Sequence, residues 1–220
     1  MVTRALRFPF IVFFFTVLFL VPLINAQSRY PKTISALQIA YHNEIQAYLN
    51  YSAYAQKATL ENYPNLAYLF VSFATSESIH ARNFKQILSD LGVEMEETTN
   101  PKVEISTTRM NLKNALDFEI EDIDKRYPQL IEKSRPEEHQ AAIQNIIYTW
   151  ESEKQHRGLL RKARLGTGIF FGILSKKIET TFVQCFVCQN CGSTLLELPK
   201  DTCPICKSPV SQYKEVERIK

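Results

Sequence analysis

Glycine is scarce, with 6 residues in a chain of 220. That shortage disfavours Gly-rich phosphate-binding loops and turn-dense all-β folds. No excess of one charge sign is present either. Lys and Arg number 26 against 23 Asp and Glu, and two of the positive charges, Arg4 and Arg7, sit at the extreme N-terminus. The body of the chain is therefore close to neutral, which argues against a nucleic-acid binder held by bulk charge. Histidine is limited to 4 residues, and cysteine is absent before position 185. Apolar residues make up 45% and charged residues 22%, so the chain can bury a core and is no disordered tail. The length suits one domain, or one domain with a small module.

The N-terminus reads as an export signal. Arg4 and Arg7 precede a 17-residue run without a charge, Phe8 to Ile24, and then Asn25, Ala26 and Gln27. A basic start, an apolar middle and a small residue before a polar stretch fit a secretory signal cut after Ala26. The alternative is an uncleaved membrane anchor, for which 17 residues is the short limit. Both place the body outside the cytoplasm, because the positive flank stays inside. The expected layout is a signal or anchor over 1–26, a helical domain over 27–165, a linker over 166–184 and a cysteine domain over 185–220.

The helical domain carries four amphipathic stretches. Ile34, Leu37, Tyr41, Glu44, Tyr48, Tyr51 and Ala55 recur in steps of three and four, and so do Leu66, Phe70, Phe73, Glu77, His80, Phe84, Ile87 and Leu91. Asn62 and Pro64 mark the turn between these two helices, and Gly92 ends the second. A third helix is expected from about Met110 to Arg126. A fourth is expected to begin near Ser134, where Ser-Arg-Pro-Glu reads as a capping box with proline in the first turn. It puts Ile143, Ile146, Trp150, Glu153 and Leu160 on one face.

The acidic members of these faces are informative, because an ionised carboxylate on a core stripe is costly unless paired or metal-bound. Glu77 and His80 form ExxH, as do Glu153 and His156, and residues three apart project from one helix face. A glutamate precedes each motif at nearly the same distance: Glu44 by 33 residues before Glu77, Glu119 by 34 before Glu153. The chain thus writes one helix pair twice. Packed with the repeated elements facing, two pairs bring four glutamates and two histidines around one point. Hard carboxylates with imidazole caps suit two iron or two manganese ions. His42 and His139 lack such partners and are read as surface or packing residues.

All five cysteines fall between 185 and 206. Cys188-Gln-Asn-Cys191 and Cys203-Pro-Ile-Cys206 are two CxxC hooks, and two hooks complete a tetrahedron of sulfurs around iron or zinc. Gly192 permits the turn after the first hook. Cys185 also makes a CxxC with Cys188, but is read as a free, partly buried thiol. Exported cysteines of this kind need rapid metallation or a low-oxygen setting.

With the order Glu, ExxH, Glu, ExxH, CxxC, CPxC in view, the chain resembles the rubrerythrin family over Ser35 to about Ala163 and again over Phe186 to Val216. The resemblance implies a mainly α fold, a ferritin-like four-helix bundle followed by a small rubredoxin-like metal-binding β module. It implies a diiron site ligated by Glu44, Glu77, Glu119, Glu153, His156 and His80 or Asp122, and a tetrathiolate iron at Cys188, Cys191, Cys203 and Cys206, with zinc as the alternative there. Family members carry a further glutamate where this chain has Asp122, one methylene shorter, with Glu121 the neighbouring substitute. Tyr51 and Tyr127 match family tyrosines near the diiron site, as proton or hydrogen-bond donors or as packing. The implied activity is a peroxidase reducing hydrogen peroxide to water, fed by an electron-donor protein or reductase. The implied assembly is a homodimer, arranged head to tail if the two centres of one chain lie far apart. The competing readings are a ferroxidase or iron-handling protein, and a bundle bearing a structural zinc ribbon. The apolar segment Leu165 to Gln184 is expected to pack on the bundle, a dimer partner or a membrane.

Overall fold

The computed structural model describes residues 29–96, 102–165 and 184–218. The expected signal or anchor over 1–26 and nearly all of the expected linker lie outside these residues. Among the described residues, no helix is long and apolar enough to cross a membrane.

Helix α1 spans Pro31–Leu60 and α2 spans Pro64–Asp90. Each has proline in its first turn, where a missing N–H costs nothing. Asn62 takes a left-handed backbone between them, and Gly92 does so after α2 (φ 76°). Helix α3, Thr108–Glu121, is capped by the Thr107 hydroxyl, which accepts from the Met110 amide. It does not stop at Arg126. A five-residue π-turn, Asp122–Arg126, leads straight into α4, Tyr127–Ser134. Helix α5 spans Gln140–Leu165.

The boundary expected at Ser134 is therefore misplaced. Ser134 closes the third helix, its hydroxyl donating back to the Leu130 carbonyl, and Arg135–Glu137 form one 3₁₀ turn. The first turn of α5 is instead capped by His139, whose Nδ1 accepts from the Ala142 amide at 3.2 Å. Glu137 serves another helix. Its two carboxylate oxygens accept from the Lys32 and Thr33 amides, at 2.9 and 2.7 Å, capping α1 across the bundle. Tyr48, expected on the core stripe of α1, is exposed.

Two apolar clusters flank a polar middle. Leu37, Tyr41, Phe84, Leu88, Tyr127 and Ile146 belong to one. Tyr51, Phe70, Phe73, Leu112, Leu116 and Leu160 belong to the other. Along α1 and α2, buried Glu44, Glu77 and His80 lie between them. The C-terminal module is a three-stranded antiparallel sheet of β1 (Phe186–Cys188), β2 (Thr194–Leu195) and β3 (Tyr213–Glu215), in the order β2-β1-β3. It is seated on the bundle. Cys185, Val187 and Val216 join the second apolar cluster, and the Tyr68 hydroxyl donates to the Val216 carbonyl at 2.8 Å. Cys185 is free and completely buried rather than partly so, and burial pushes its thiol up to about 11.

Candidate metal centres

Glu44 on α1, Glu77 and His80 on α2, Glu119 on α3, and Glu153 and His156 on α5 are all buried. Their donor atoms form two overlapping groups: Glu44, Glu77, His80 and Glu153 in one, and Glu77, Glu119, Glu153 and His156 in the other. Glu77 and Glu153 belong to both, so they sit where bridging ligands would. His80 turns Nδ1 inward, 2.8 Å from Glu77 and 3.2 Å from both Glu44 and Glu153. His156 does the same, 2.9 Å from Glu153, 3.2 Å from Glu77 and 3.6 Å from Glu119.

Four carboxylates this close repel. Burial, with the Glu153 and Glu77 charges, pushes Glu44 up to about 8 despite its bond to His80. Burial and Glu153 likewise hold Glu119 well above the usual range. Glu153 goes the other way, because the two imidazoles outweigh its burial. Both histidines are shifted well above their ordinary value, the surrounding carboxylates overcoming burial. Without metal, the site therefore holds protons where cations belong. Among the described residues, buried Glu77 Oε1, Glu119 Oε2 and Glu153 Oε1 have no hydrogen-bond partner. Two divalent ions would take up these lone pairs and balance the four carboxylate charges, with both imidazoles neutral. The donor set fits a diiron centre.

Two tyrosines complete the carboxylate cage crosswise. The Tyr51 hydroxyl on α1 donates to Glu119 on α3, and the Tyr127 hydroxyl on α4 donates to Glu44 on α1. Burial and these carboxylates keep both phenols well above the usual tyrosine range, hence protonated. Tyr51 also lines a cavity of about 280 Å³ between α1 and α3, with Gln46, Asn50, Tyr54, Asn114 and Phe118. Asp122 joins neither group. It is buried in the π-turn, accepting from Asn43 at 2.7 Å and paired with Arg126. Glu121 points outward and pairs with Lys125 at 2.9 Å. His42 is exposed on α1.

The four expected cysteines do converge. Cys188 and Cys206 sulfurs lie 3.8 Å apart, and Cys191 and Cys203 sulfurs 3.6 Å apart. A tetrahedron with metal–sulfur bonds of about 2.3 Å has edges of about 3.8 Å. All four are free thiols, so no disulfide competes for them. Tyr213 donates to Cys203 Sγ at 3.2 Å.

The two donor sets share a wall, which residue patterns did not reveal. His80 Nε2 lies 3.1 Å from the Cys191 carbonyl. His156 Nε2 lies 3.2 Å from the Thr194 hydroxyl. Ser76 and Ser152, each immediately before an ExxH glutamate, donate to the Gly192 carbonyl at 2.6 and 3.1 Å. Gly192 (φ 77°) has no room for a side chain, since a Cβ would sit 2.2 Å from His80 Nε2. The one readable trace of this wall is the repeated Ser-Glu pair. One chain brings its two centres together here.

Comparison with known proteins agrees with this geometry. The family model described as Rubrerythrin matches residues 35–164. Rubrerythrin-2 of Clostridium acetobutylicum is 28% identical over 174 residues, covering 79% of this chain and 91% of that protein. The rubrerythrin of Porphyromonas gingivalis is 29% identical over 198 residues, covering 88% and 94%. Fully reduced, all-ferrous nigerythrin superimposes with a TM-score of 0.72 at 22% identity, covering 83% of this chain and 86% of that one, a likeness of fold.

Proposed function

We propose, from the premise that the chain belongs to the rubrerythrin family, that it is a peroxidase converting hydrogen peroxide, two electrons and two protons into two waters. The chain carries the ligand sets of a diiron site and a rubredoxin-like iron site and belongs to a family of oxidoreductases. The observation that supports it best is the 3.1 Å contact between His80 Nε2 and the Cys191 carbonyl. It joins a thiolate-bearing residue to a ligand of the carboxylate centre through a few covalent bonds and one hydrogen bond.

Two ferrous ions bound among Glu44, Glu77, His80, Glu119, Glu153 and His156 would supply the electron pair that O–O cleavage consumes. The protein does the rest. The cysteine module covers the histidine side of the cage and excludes water there. The cavity on the opposite side admits a small polar oxidant as far as Tyr51. Tyr51 holds a proton at its hydroxyl on that floor and keeps Glu119 oriented, while Tyr127 does the same for Glu44. An external donor protein or reductase is expected to restore electrons through the four cysteines. Residues 1–26 extend the proposal to an exported location, supported by their basic and then uncharged sequence.

The test is reoxidation of reduced, iron-loaded protein. The reading requires peroxide to oxidise it faster than oxygen does. A faster reaction with oxygen would favour a ferroxidase, and a colourless cysteine site in protein from the native host would favour a zinc ribbon.

A further inference from the structure

We propose that Thr194 is a positioning residue for His156, giving the second metal-facing imidazole its own anchor in the cysteine module. The cysteine module thereby forms part of the dimetal centre's outer wall on both helix pairs, beyond the single contact at His80.

The argument is one of donors and acceptors. A backbone carbonyl only accepts, so the Cys191 oxygen fixes a proton on His80 Nε2 and reserves Nδ1, which faces the carboxylates, for a metal. Among the described residues, His156 Nε2 is bonded to a hydroxyl rather than a carbonyl. Its Nε2 faces Thr194 Oγ1, and that hydroxyl is 3.0 Å from the Gly192 carbonyl, to which it donates. With its proton committed to Gly192, Thr194 offers His156 a lone pair. The chain His156 Nε2–H to Thr194 Oγ1–H to Gly192 carbonyl again leaves Nδ1, which faces the carboxylates, as the nitrogen that would give its lone pair to a metal. Every residue in it is buried: His156 and Thr194 are each 1% exposed or less, and Gly192 is buried with them. No water replaces a lost partner easily there. Gln155, one residue before His156, holds Thr194 in place: its side-chain oxygen accepts from the Thr194 amide and the Ser193 hydroxyl, both at 3.0 Å. Segment 191–194 thus clamps both histidines, one by a carbonyl and one by a hydroxyl.

The assignment rests on the dimetal reading and is tested on the full chain with zinc pre-loaded at the four cysteines. Cobalt(II) is then titrated into the carboxylate site. Thr194→Val is expected to weaken uptake of one of two cobalt ions by about 10- to 100-fold, and Thr194→Ser to restore it. Equal uptake by Thr194→Val and the parent overturns the assignment. So does equal weakening in both variants, which would mean packing rather than a hydrogen bond. A parent chain that takes up no cobalt sinks the dimetal reading itself. Should Thr194→Val misfold, histidine-labelled parent protein with zinc in every site decides by nitrogen NMR. Both rings are expected to carry a slowly exchanging proton on Nε2; a His156 ring with Nε2 unprotonated, or exchanging freely with solvent, overturns the assignment.

Discussion

In the first helix pair, Tyr51 follows Glu44 by seven residues on an unbroken α-helix, two turns along the same face. In the second pair, Tyr127 follows Glu119 by eight. An α-helix would carry that eighth residue well off the face. The π-turn over Asp122–Arg126 takes up the extra residue, with the Tyr127 amide bonding the Asp122 carbonyl five positions back. Tyr127 then reaches Glu44 much as Tyr51 reaches Glu119. The wider turn is supported by Trp150, whose indole N–H donates to the Ile123 carbonyl at 2.9 Å. It also houses Asp122, whose carboxylate is bound by Asn43 and Arg126 outside both donor groups. The lesson is that a sequence repeat can be kept chemically while its helices depart from strict symmetry.

The largest effects should come from the two glutamates common to both halves. Glu77→Ala or Glu153→Ala is expected to abolish binding of both ions, while Glu44→Ala or Glu119→Ala loses one each. Metal analysis of the four variants checks this, with the cysteine chromophore unchanged in all. Equal losses in all four would break the assignment of shared and private ligands.

Acidity separates the halves less sharply. In metal-free protein Glu44 keeps its proton up to about 8, against 4.5 ordinarily. The folded state then binds more protons than the unfolded one between those values, so stability falls as pH rises through that window. The histidines, shifted in the same upward direction, add to the fall above their ordinary value. Thermal melts of metal-free protein from pH 5 to pH 8 should show it. Glu44→Gln should flatten it, and metal should remove it, because bound cations favour deprotonated ligands.

The tyrosines test the crosswise pairing. Tyr51→Phe and Tyr127→Phe each strip a buried carboxylate of a donor, at a cost of about 1–3 kcal/mol in a denaturant melt. Only Tyr51 faces the cavity, so only its variant should slow reaction with peroxide at unchanged metal content.

The smallest effect is expected from deleting the exposed Lys125. Removal of one residue lets the π-turn close to α-helix while Tyr127 keeps its face. Metal content should persist, and loss of both ions would show that the π-turn does more than absorb a residue.

Much of the site was legible because ligand chemistry is local: two ExxH motifs and two CxxC hooks name their residues outright. Fold class followed from apolar spacing. The end of the third helix did not, since a π-turn has no residue signature and Ser134-Arg-Pro-Glu looks like a helix start. That glutamate caps a helix 105 residues away in sequence, which no local pattern encodes. Asp122 was read through its family position; its partners Asn43 and Arg126 come from packing. Thr194 and Gly192 were equally hidden, because their role exists only once the module is seated.

Whether the carboxylate centre and the cysteine centre act as one peroxide-reducing unit is tested directly by mixing fully reduced, iron-loaded protein with hydrogen peroxide in a stopped-flow spectrometer. The red ferric-thiolate absorption is expected to return rapidly in the parent chain and not in Glu77→Ala. Return at the same rate in both, or in neither, would contradict their acting as one unit.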